Sequence, residues 1–188
     1  MHKYVMNMPN AERRLLQFKQ EMQRIWWTDV ETISAIDGNL HIKGNELAGC
    51  YPHHIGNYLT HIKILKDAID KWYDDIIVME DDLILCNFFI SRYPRAMKQA
   101  PEDRELLRLS WMSRPDLPRI QTDTDEWLED AGPRGTEMYR IRWSAIKKLY
   151  DFLIEHWPIC PIDRVIHKAP IRWYMISYSL GMQWDNRI

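Results

Sequence analysis

The chain has 188 residues, of which 46% are hydrophobic and 28% are charged, and its formal net charge is -2. This length and composition fit one globular domain, and the near-neutral charge provides no electrostatic attraction for nucleic acid. No apolar run reaches the roughly 18 residues that a membrane helix needs, and the N-terminal segment lacks the apolar centre of a secretory signal, so we expect a cytoplasmic protein. The 3 cysteines are odd in number and lie far apart, which predicts reduced thiols.

The chain begins with a predicted strand, helix and second strand. Residues 3–8 form a short strand, and Asn10 is the expected cap of the helix that follows. Residues 30–36 predict the second strand, which Asp37-Gly38 closes in a tight turn. The first helix carries apolar side chains at helical spacing: Leu15, Phe18, Met22 and Ile25.

A longer helix and a buried strand come next. The apolar stripe of this helix is spaced by four and three residues in alternation: Tyr58, Ile62, Leu65, Ile69 and Trp72. Residues 76–79 are continuously apolar, as expected of a strand that is buried on both faces of an α/β sheet, and three acids follow immediately.

The second half of the chain predicts strands at 105–111, 138–143 and 172–178, with a helix ending near Trp157-Pro158. Between the first two lies a segment, 112–136, that is rich in Pro, Asp and Arg and has little periodicity, which is typical of a functional loop. Because strands alternate with helices, we expect a single α/β domain over 1–188 with a mainly parallel central sheet.

The acids Glu80, Asp81 and Asp82 follow the predicted buried strand. Ligands of open α/β sheets bind at the carboxyl ends of the strands, and carboxylates two positions apart can hold Mg²⁺ or Mn²⁺ beside a diphosphate. A solvated acidic turn, or a cap for a helix beginning near Asn87, explains the same residues. The residues alone leave both interpretations open.

An ordered set of short motifs resembles glycosyltransferase family 25, which includes lipooligosaccharide and collagen galactosyltransferases. The resemblance covers nearly the whole chain, although it departs from the family pattern at Asn57, Thr60 and Pro9-Asn10. The motifs in chain order are Tyr4-Val5-Met6-Asn7-Met8 with Arg13-Arg14, Ala35-Ile36-Asp37-Gly38, Gly56 to His61, Glu80-Asp81-Asp82 at 19 residues beyond His61, Gly135-Thr136 with Tyr139, and Pro161-Ile162-Asp163.

The resemblance implies a GT-A fold and an inverting transferase that uses a UDP-sugar and Mn²⁺ or Mg²⁺. It implies transfer of a hexose, galactose or glucose, to a glycan, a lipid-linked glycan such as lipooligosaccharide, or a protein, which leaves room for peripheral contact with a membrane. Glu80 and Asp82 are the expected metal ligands. The residues expected to bind the donor are Asn7, Arg13, Arg14, Asp37, Gly38, His61 and Asp81.

An inverting transfer needs a base for the acceptor hydroxyl, and Asp163 is the first candidate. Its alternative role is to cap the helix that follows it. Glu129 and Asp130 in the irregular segment are rival bases, and Trp111 and Trp127 could stack on a sugar of the acceptor.

Two alternative functions and two alternative roles for single side chains accompany this hypothesis. The protein could bind sugar nucleotides or glycans without turnover, or it could be a metal-dependent phosphotransferase or hydrolase, although no glycine-rich phosphate loop is present. His61 could be a structural histidine. Cys50, His53 and His54 lack a fourth ligand at the spacing that a zinc site needs.

Overall fold

The computed structural model describes residues 1–41, 50–110, 135–156 and 161–183, and it describes residues 127–129 as backbone. The strands in chain order are β1 (His2–Asn7), β2 (Val30–Ser34), β3 (Asp75–Glu80), β4 (Leu83–Leu85), β5 (Leu106–Arg108), β6 (Trp127–Glu129), β7 (Met138–Arg142), β8 (Trp173–Ile176) and β9 (Gly181–Gln183). The helices are α1 (Glu12–Arg24), α2 (Pro52–Asp70), α3 (Phe89–Gln99), α4 (Trp143–Glu155) and α5 (Ile162–Ile166), with a 3₁₀ turn over Gly38–His41.

The central sheet has 7 strands in the order β2-β1-β3-β7-β5-β8-β6. Strands β1, β2, β3, β5 and β8 run in one direction, and β7 and β6 run in the opposite direction. The prediction of a mainly parallel sheet is therefore confirmed. The insertion of β7 between β3 and β5 has a local consequence, because it brings the start of β7 to the edge at which β3 and β5 end.

Helices cover both faces of the sheet. Alternate residues of the strands point to opposite faces, so that Ile76 and Val78 of β3 pack under α2, α4 and α5. Ile77 and Met79 of the same strand pack on the other face, against α1 and α3. This double coverage explains why β3 is a continuous apolar run in the sequence.

Two helix ends differ from the prediction. Helix α2 ends at Asp70, and Trp72 lies beyond it with a φ of 55° and 77% exposure, stacked on Trp143 at 5.4 Å between ring centroids. The reversal of the chain after Lys71 removes Trp72 from the buried stripe. The first helix begins at Glu12, and its N-cap is Ala11 rather than Asn10.

Several short elements lie outside the predicted set. Strand β6 occurs within the segment 112–136, which was expected to be irregular, and it forms one edge of the sheet. Strands β4 and β9 form a separate two-stranded ribbon just beyond β3. Trp157-Pro158, the expected end of a helix, lies outside the described residues, where α4 is followed to Glu155. Within the described residues, no helix is long and apolar enough to cross a bilayer.

Candidate functional site

The end of β3 and the start of β7 form the centre of a polar site. The backbone N–H of Glu80 donates to the carbonyl oxygen of Glu137 at 2.9 Å. Strand alternation places the Glu80 side chain on the same face as Val78, which α2 covers, and places Glu137 on the same face as Tyr139. Two acids far apart in the sequence therefore meet at the carboxyl edge of the sheet.

Glu80 is surrounded by neutral hydrogen-bond donors. The Thr136 hydroxyl donates to its Oε1 at 2.7 Å, and the Asn57 amide donates to the same atom at 3.3 Å. Burial raises the pKa of Glu80 to about 8, the charges of Glu137 and Asp82 add to this rise, and the two donors oppose it. No cation within the described residues neutralises this carboxylate at ion-pair distance.

Glu137 is the second acid of the site and is only 2% exposed. The Ser110 hydroxyl donates to its Oε2 at 3.3 Å. Burial raises the pKa of Glu137 to about 7, with a further contribution from Asp82. Gly135 makes room for it, since this residue has a φ of 82° and a Cβ there would overlap the Glu137 carboxylate.

The other two acids of the triplet face different neighbours. Asp81 is 7% exposed, accepts from the Asn7 amide at 2.6 Å, and lies 3.3 Å from Nε of Arg14. Burial raises the pKa of Asp81, and these two contacts oppose the rise. Asp82 accepts from Gln183 at 2.7 Å through Oδ2, whereas its Oδ1 is buried without a hydrogen-bond partner. Burial raises the pKa of Asp82 as well.

A cleft of about 200 Å³ lies beside Asp81 and Asp82, between α1 and the start of β4. Its walls include Gln17, Phe18 and Leu83. Three of the predicted donor-binding residues, Asn7, Arg14 and Asp81, thus converge at one side of the triplet. Arg13 is exposed on α1, and the described contacts do not connect it to the acids.

Asp163 lies in the first turn of α5, at the opposite side of the Glu80–Glu137 pair. The N-cap of α5 is Pro161, and no side-chain hydrogen bond caps this helix, so Asp163 does not serve as its cap. The backbone N–H of Gly135 donates to Oδ2 of Asp163 at 3.4 Å. This contact joins α5 to the segment that carries Thr136 and Glu137.

Arg108 is a buried cation that the sequence analysis did not select. It ends β5, is 2% exposed, and donates through Nη2 to the main-chain oxygen of Asp163 at 3.1 Å. Its guanidinium lies 5.2 Å from the ring centroid of Trp173. Burial lowers the pKa of Arg108, and the carboxylates of Asp163 and Glu137 oppose this shift.

Three other predicted donor-binding residues make contacts within the fold, and their role in donor binding stays a prediction. His61 is 0% exposed, its Nδ1 lies 2.8 Å from the Tyr139 hydroxyl, and burial lowers its pKa to about 3. Asp37 accepts from the backbone N–H of Asn39 at 2.9 Å within a turn. Gly38 is buried, and a Cβ there would overlap the Pro52 carbonyl at the start of α2. These contacts support local structure and the packing of α2.

The rival base Glu129 lies far from the triplet. Its backbone pairs with Tyr174 of β8. When this register is followed through β5 and β7 to β3, it leads to Ile77 rather than to Glu80. Four strand spacings separate β6 from β3, or about 19 Å at roughly 4.8 Å per strand. This distance disfavours Glu129 as a base for chemistry beside Glu80. Asp130 and Trp111 lie outside the described residues, and only the backbone of Trp127 is described.

Buried polar atoms without a hydrogen-bond partner concentrate around this edge of the sheet. Such atoms are uncommon in native proteins, and a cluster of them indicates a place where a ligand or water completes the hydrogen bonding. Within the described residues, those at the site and its cleft are Gln17 Oε1, His54 Nδ1, Asn57 Oδ1, His61 Nε2, Asp82 Oδ1, Arg108 Nη1 and Asp163 Oδ1.

Comparison with solved structures identifies the fold. A glycosyltransferase involved in the glycosylation of the major capsid of PBCV-1 matches with a TM-score of 0.59 and 9% identity, over 100% of this chain and 93% of that chain. The chain has the fold of a GT-A glycosyltransferase.

Two galactosyltransferases align less well. A mutant of a Drosophila β1,4-galactosyltransferase 7, in complex with manganese, UDP-Gal and xylobiose, gives a TM-score of 0.46 and 12% identity over 100% of this chain and 72% of that chain. The galactosyltransferase LgtC, in complex with donor and acceptor sugar analogs, gives a TM-score of 0.43 and 12% identity over 92% of this chain and 71% of that chain.

No family model and no curated protein matches the sequence. The resemblance to glycosyltransferase family 25 therefore rests on the short motifs alone and stays a prediction.

Proposed function

We propose that the protein is a metal-dependent glycosyltransferase that transfers a hexose from a UDP-sugar to an acceptor hydroxyl. The observation that carries this proposal is the group of carboxylates Glu80, Asp82 and Glu137 at the carboxyl edge of a GT-A sheet, which have neutral donors as partners. Acids arranged for stability are usually paired with cations, whereas unneutralised acids in a cleft are typical of a binding or catalytic site.

The residues present fit a divalent cation. Carboxylate oxygens are the ligands that Mg²⁺ and Mn²⁺ prefer, and Oδ1 of Asp82 is buried without a partner. We assign Glu80 and Asp82 as the metal ligands. Within the described residues, no group of three or more His, Cys, Asp or Glu side chains is placed to hold a metal ion, so the assignment is limited to these two carboxylates.

The chain's own groups have separable roles in this proposal. The metal, when bound, offsets charge on the departing UDP. Arg14, held beside Asp81 at 3.3 Å, presents a guanidinium for the diphosphate, and Asn7 fixes Asp81 in place through its 2.6 Å hydrogen bond. Asp163 takes the proton of the acceptor hydroxyl as that oxygen attacks the anomeric carbon, which gives inversion.

The finer identity of the substrates comes from the family resemblance. It favours galactose or glucose as the transferred sugar, Mn²⁺ as the ion, and a glycan, lipid-linked glycan or protein as the acceptor. Among the candidates for the base, Asp163 has the support of its position next to Gly135, since this residue is part of the segment that carries the Glu80 partner Thr136.

The test is release of free UDP from a panel of nucleotide sugars in Mn²⁺, with and without candidate acceptors. We expect release from one UDP-hexose, reduced at least 100-fold in Glu80→Gln and in Asp82→Asn, because each removes a negatively charged ligand. The matched control is Asp151→Asn, which changes an exposed acid on α4 whose ion-pair partner is Lys147. This control should keep the wild-type rate.

Two other outcomes would point to different functions. Tight binding of a UDP-sugar without any UDP release would contradict turnover and favour a protein that binds sugar nucleotides. Release of inorganic phosphate from the nucleotide would favour a phosphotransferase or hydrolase.

A further inference from the structure

Arg108 is a buried cation that the proposed metal chemistry does not use. Within the described part of the chain, no carboxylate lies at ion-pair distance from its guanidinium. Its contacts are the main-chain oxygen of Asp163 at 3.1 Å and the face of Trp173. Nη1 has no hydrogen-bond partner. A guanidinium carries five N–H donors and no acceptor, so this buried nitrogen requires an acceptor from elsewhere.

Two further unpartnered atoms lie around Asp163. Oδ1 of Asp163 is a buried acceptor, and Nδ1 of His54, in the first turn of α2, is a buried imidazole nitrogen. The Asp163 carboxylate is close enough to both Arg108 and His54 to act on their charge. Three elements, β5, α5 and α2, therefore carry unpartnered polar atoms in the neighbourhood of Asp163.

The chemistry of these atoms selects the kind of ligand. An isolated anion would satisfy Arg108 but would be repelled by Asp163 and by Glu137, which also faces Arg108. A neutral polyol satisfies all of them, because each hydroxyl both donates and accepts a hydrogen bond. Adjacent hydroxyls of a pyranose ring can donate to Asp163 and accept from Arg108 in the same orientation.

We propose that Arg108, Asp163 and His54 form a pocket that recognises the hydroxyls of a hexose. This inference rests on the proposed function and adds to it a sugar-recognition site that is distinct from the metal ligands Glu80 and Asp82. The hexose is either the sugar of the donor or the terminal sugar of the acceptor. Both present the same hydroxyl chemistry, and the experiment separates them.

The experiment compares ligands with and without the hexose in Arg108→Met, which keeps the length of the side chain and removes its charge and donors. We expect the Kd for UDP in Mn²⁺, measured by calorimetry, to stay within twofold of wild type. If the donor hexose occupies the pocket, the Kd for the preferred UDP-hexose rises at least tenfold. If the acceptor occupies it, the KM for the acceptor rises at least tenfold instead.

The matched control is Arg172→Met, at the opposite edge of the sheet, which should change none of these constants. Because Arg108→Met leaves a well-packed apolar side chain, we expect it to fold. His54→Leu tests the same pocket in a second element and should weaken binding of the same ligand at least threefold.

The inference is overturned if hexose-containing ligands bind both variants as they bind wild type, or if UDP itself weakens as much as UDP-hexose. If wild type binds no UDP, the proposed function fails, and titration with methyl hexosides followed by NMR decides the inference. Binding of a hexoside that Arg108→Met abolishes supports the pocket, and absence of hexoside binding to wild type contradicts it.

Discussion

The two ends of the β3–β7 pair carry acids in contrasting environments. At the amino end of β3, Asp75 accepts from Nε of Arg140 at 2.9 Å through both carboxylate oxygens and forms an ion pair with this residue. At the carboxyl end, Glu80 faces a second acid, Glu137, and accepts only from the neutral donors Thr136 and Asn57. One end of the same ladder pairs its acid with a cation, and the other leaves Glu80 without a counter-charge, which a cationic ligand can supply.

Other acids near the amino ends of the strands follow the first pattern. Asp103 pairs with Arg172, and Glu105 accepts from Lys148 at 2.6 Å. The ion-paired pattern of Asp75 therefore recurs at this edge, whereas at the carboxyl edge Asp81 is ion-paired with Arg14 and Glu80 is not. Substitutions at each edge should affect different properties.

The largest loss of stability is expected for Asp75→Asn. The two side chains are 17% and 19% exposed, so the substitution leaves a mostly buried Arg140 without its counter-charge. We expect the free energy of unfolding to fall by about 2 kcal/mol, below the range for fully buried pairs because water still reaches this one. Urea unfolding measures it, and the affinity for UDP should not change.

A double substitution sharpens this prediction. Asp75→Leu combined with Arg140→Leu removes both charges and should recover most of the lost stability, since no uncompensated charge remains. A loss below about 0.5 kcal/mol in Asp75→Asn would show that the pair resembles an exposed ion pair and that the proposed contrast is wrong.

A smaller effect on stability, which depends on pH, is expected at the carboxyl edge of the sheet. The folded-state pKa of Glu137, raised to about 7, exceeds its unfolded value near 4.5. The folded protein therefore holds a proton that the unfolded chain releases, and stability is lost as pH rises from about 4.5 to about 7. Between pH 5 and 7.5, without divalent cations, wild type should lose about 1–2 kcal/mol more than Glu137→Gln.

This prediction is measured by urea unfolding of both proteins at several pH values in the presence of a chelator. Glu80, whose pKa is raised to about 8, acts in the same direction and should leave a residual slope in the variant. Parallel pH profiles for wild type and Glu137→Gln would contradict the carboxylate pair.

The smallest effect is expected for the exposed pair of Lys147 and Asp151 on α4. Its 2.6 Å contact joins residues four positions apart, and both side chains are more than half exposed. Asp151→Asn should change the free energy of unfolding by less than about 0.5 kcal/mol, because water and salt screen such a pair. Thermal unfolding at low and high salt checks it, and a change above about 1 kcal/mol would be inconsistent with a screened contact.

Much of the fold could be predicted because the local pattern determines it. The stripe of α2 and the apolar run of β3 follow directly from helical spacing and from burial on two faces. The prediction that Trp72 belongs to this stripe was wrong, because the end of a helix depends on where the backbone reverses, and the spacing of apolar residues does not reveal that point. Strand β6 was missed because it has only 3 residues, and its pairing with β8 joins segments that are far apart in the sequence.

The site was predicted in part. The triplet follows the strand that the apolar run indicated, but Glu137 is recognisable only once β7 is known to lie antiparallel beside β3. Arg108 could have been selected from the sequence, since it interrupts the apolar sequence Leu106-Leu107-Arg108-Leu109. A cation within a buried strand is uncommon and needs a polar partner. The role of His61 stays a prediction, because the spacing that suggested a donor contact also suits a histidine packed against Tyr139.

The proposed use of Glu80 and Asp82 is tested most directly by calorimetric titration of UDP into wild type and Asp82→Asn, each with Mn²⁺ and with a chelator. We predict that wild type binds UDP at least tenfold more tightly with Mn²⁺, and that Asp82→Asn loses this enhancement while remaining folded. Binding of UDP that is equally tight with and without Mn²⁺, or that is unchanged in Asp82→Asn, would contradict a metal and diphosphate site at the carboxyl end of β3.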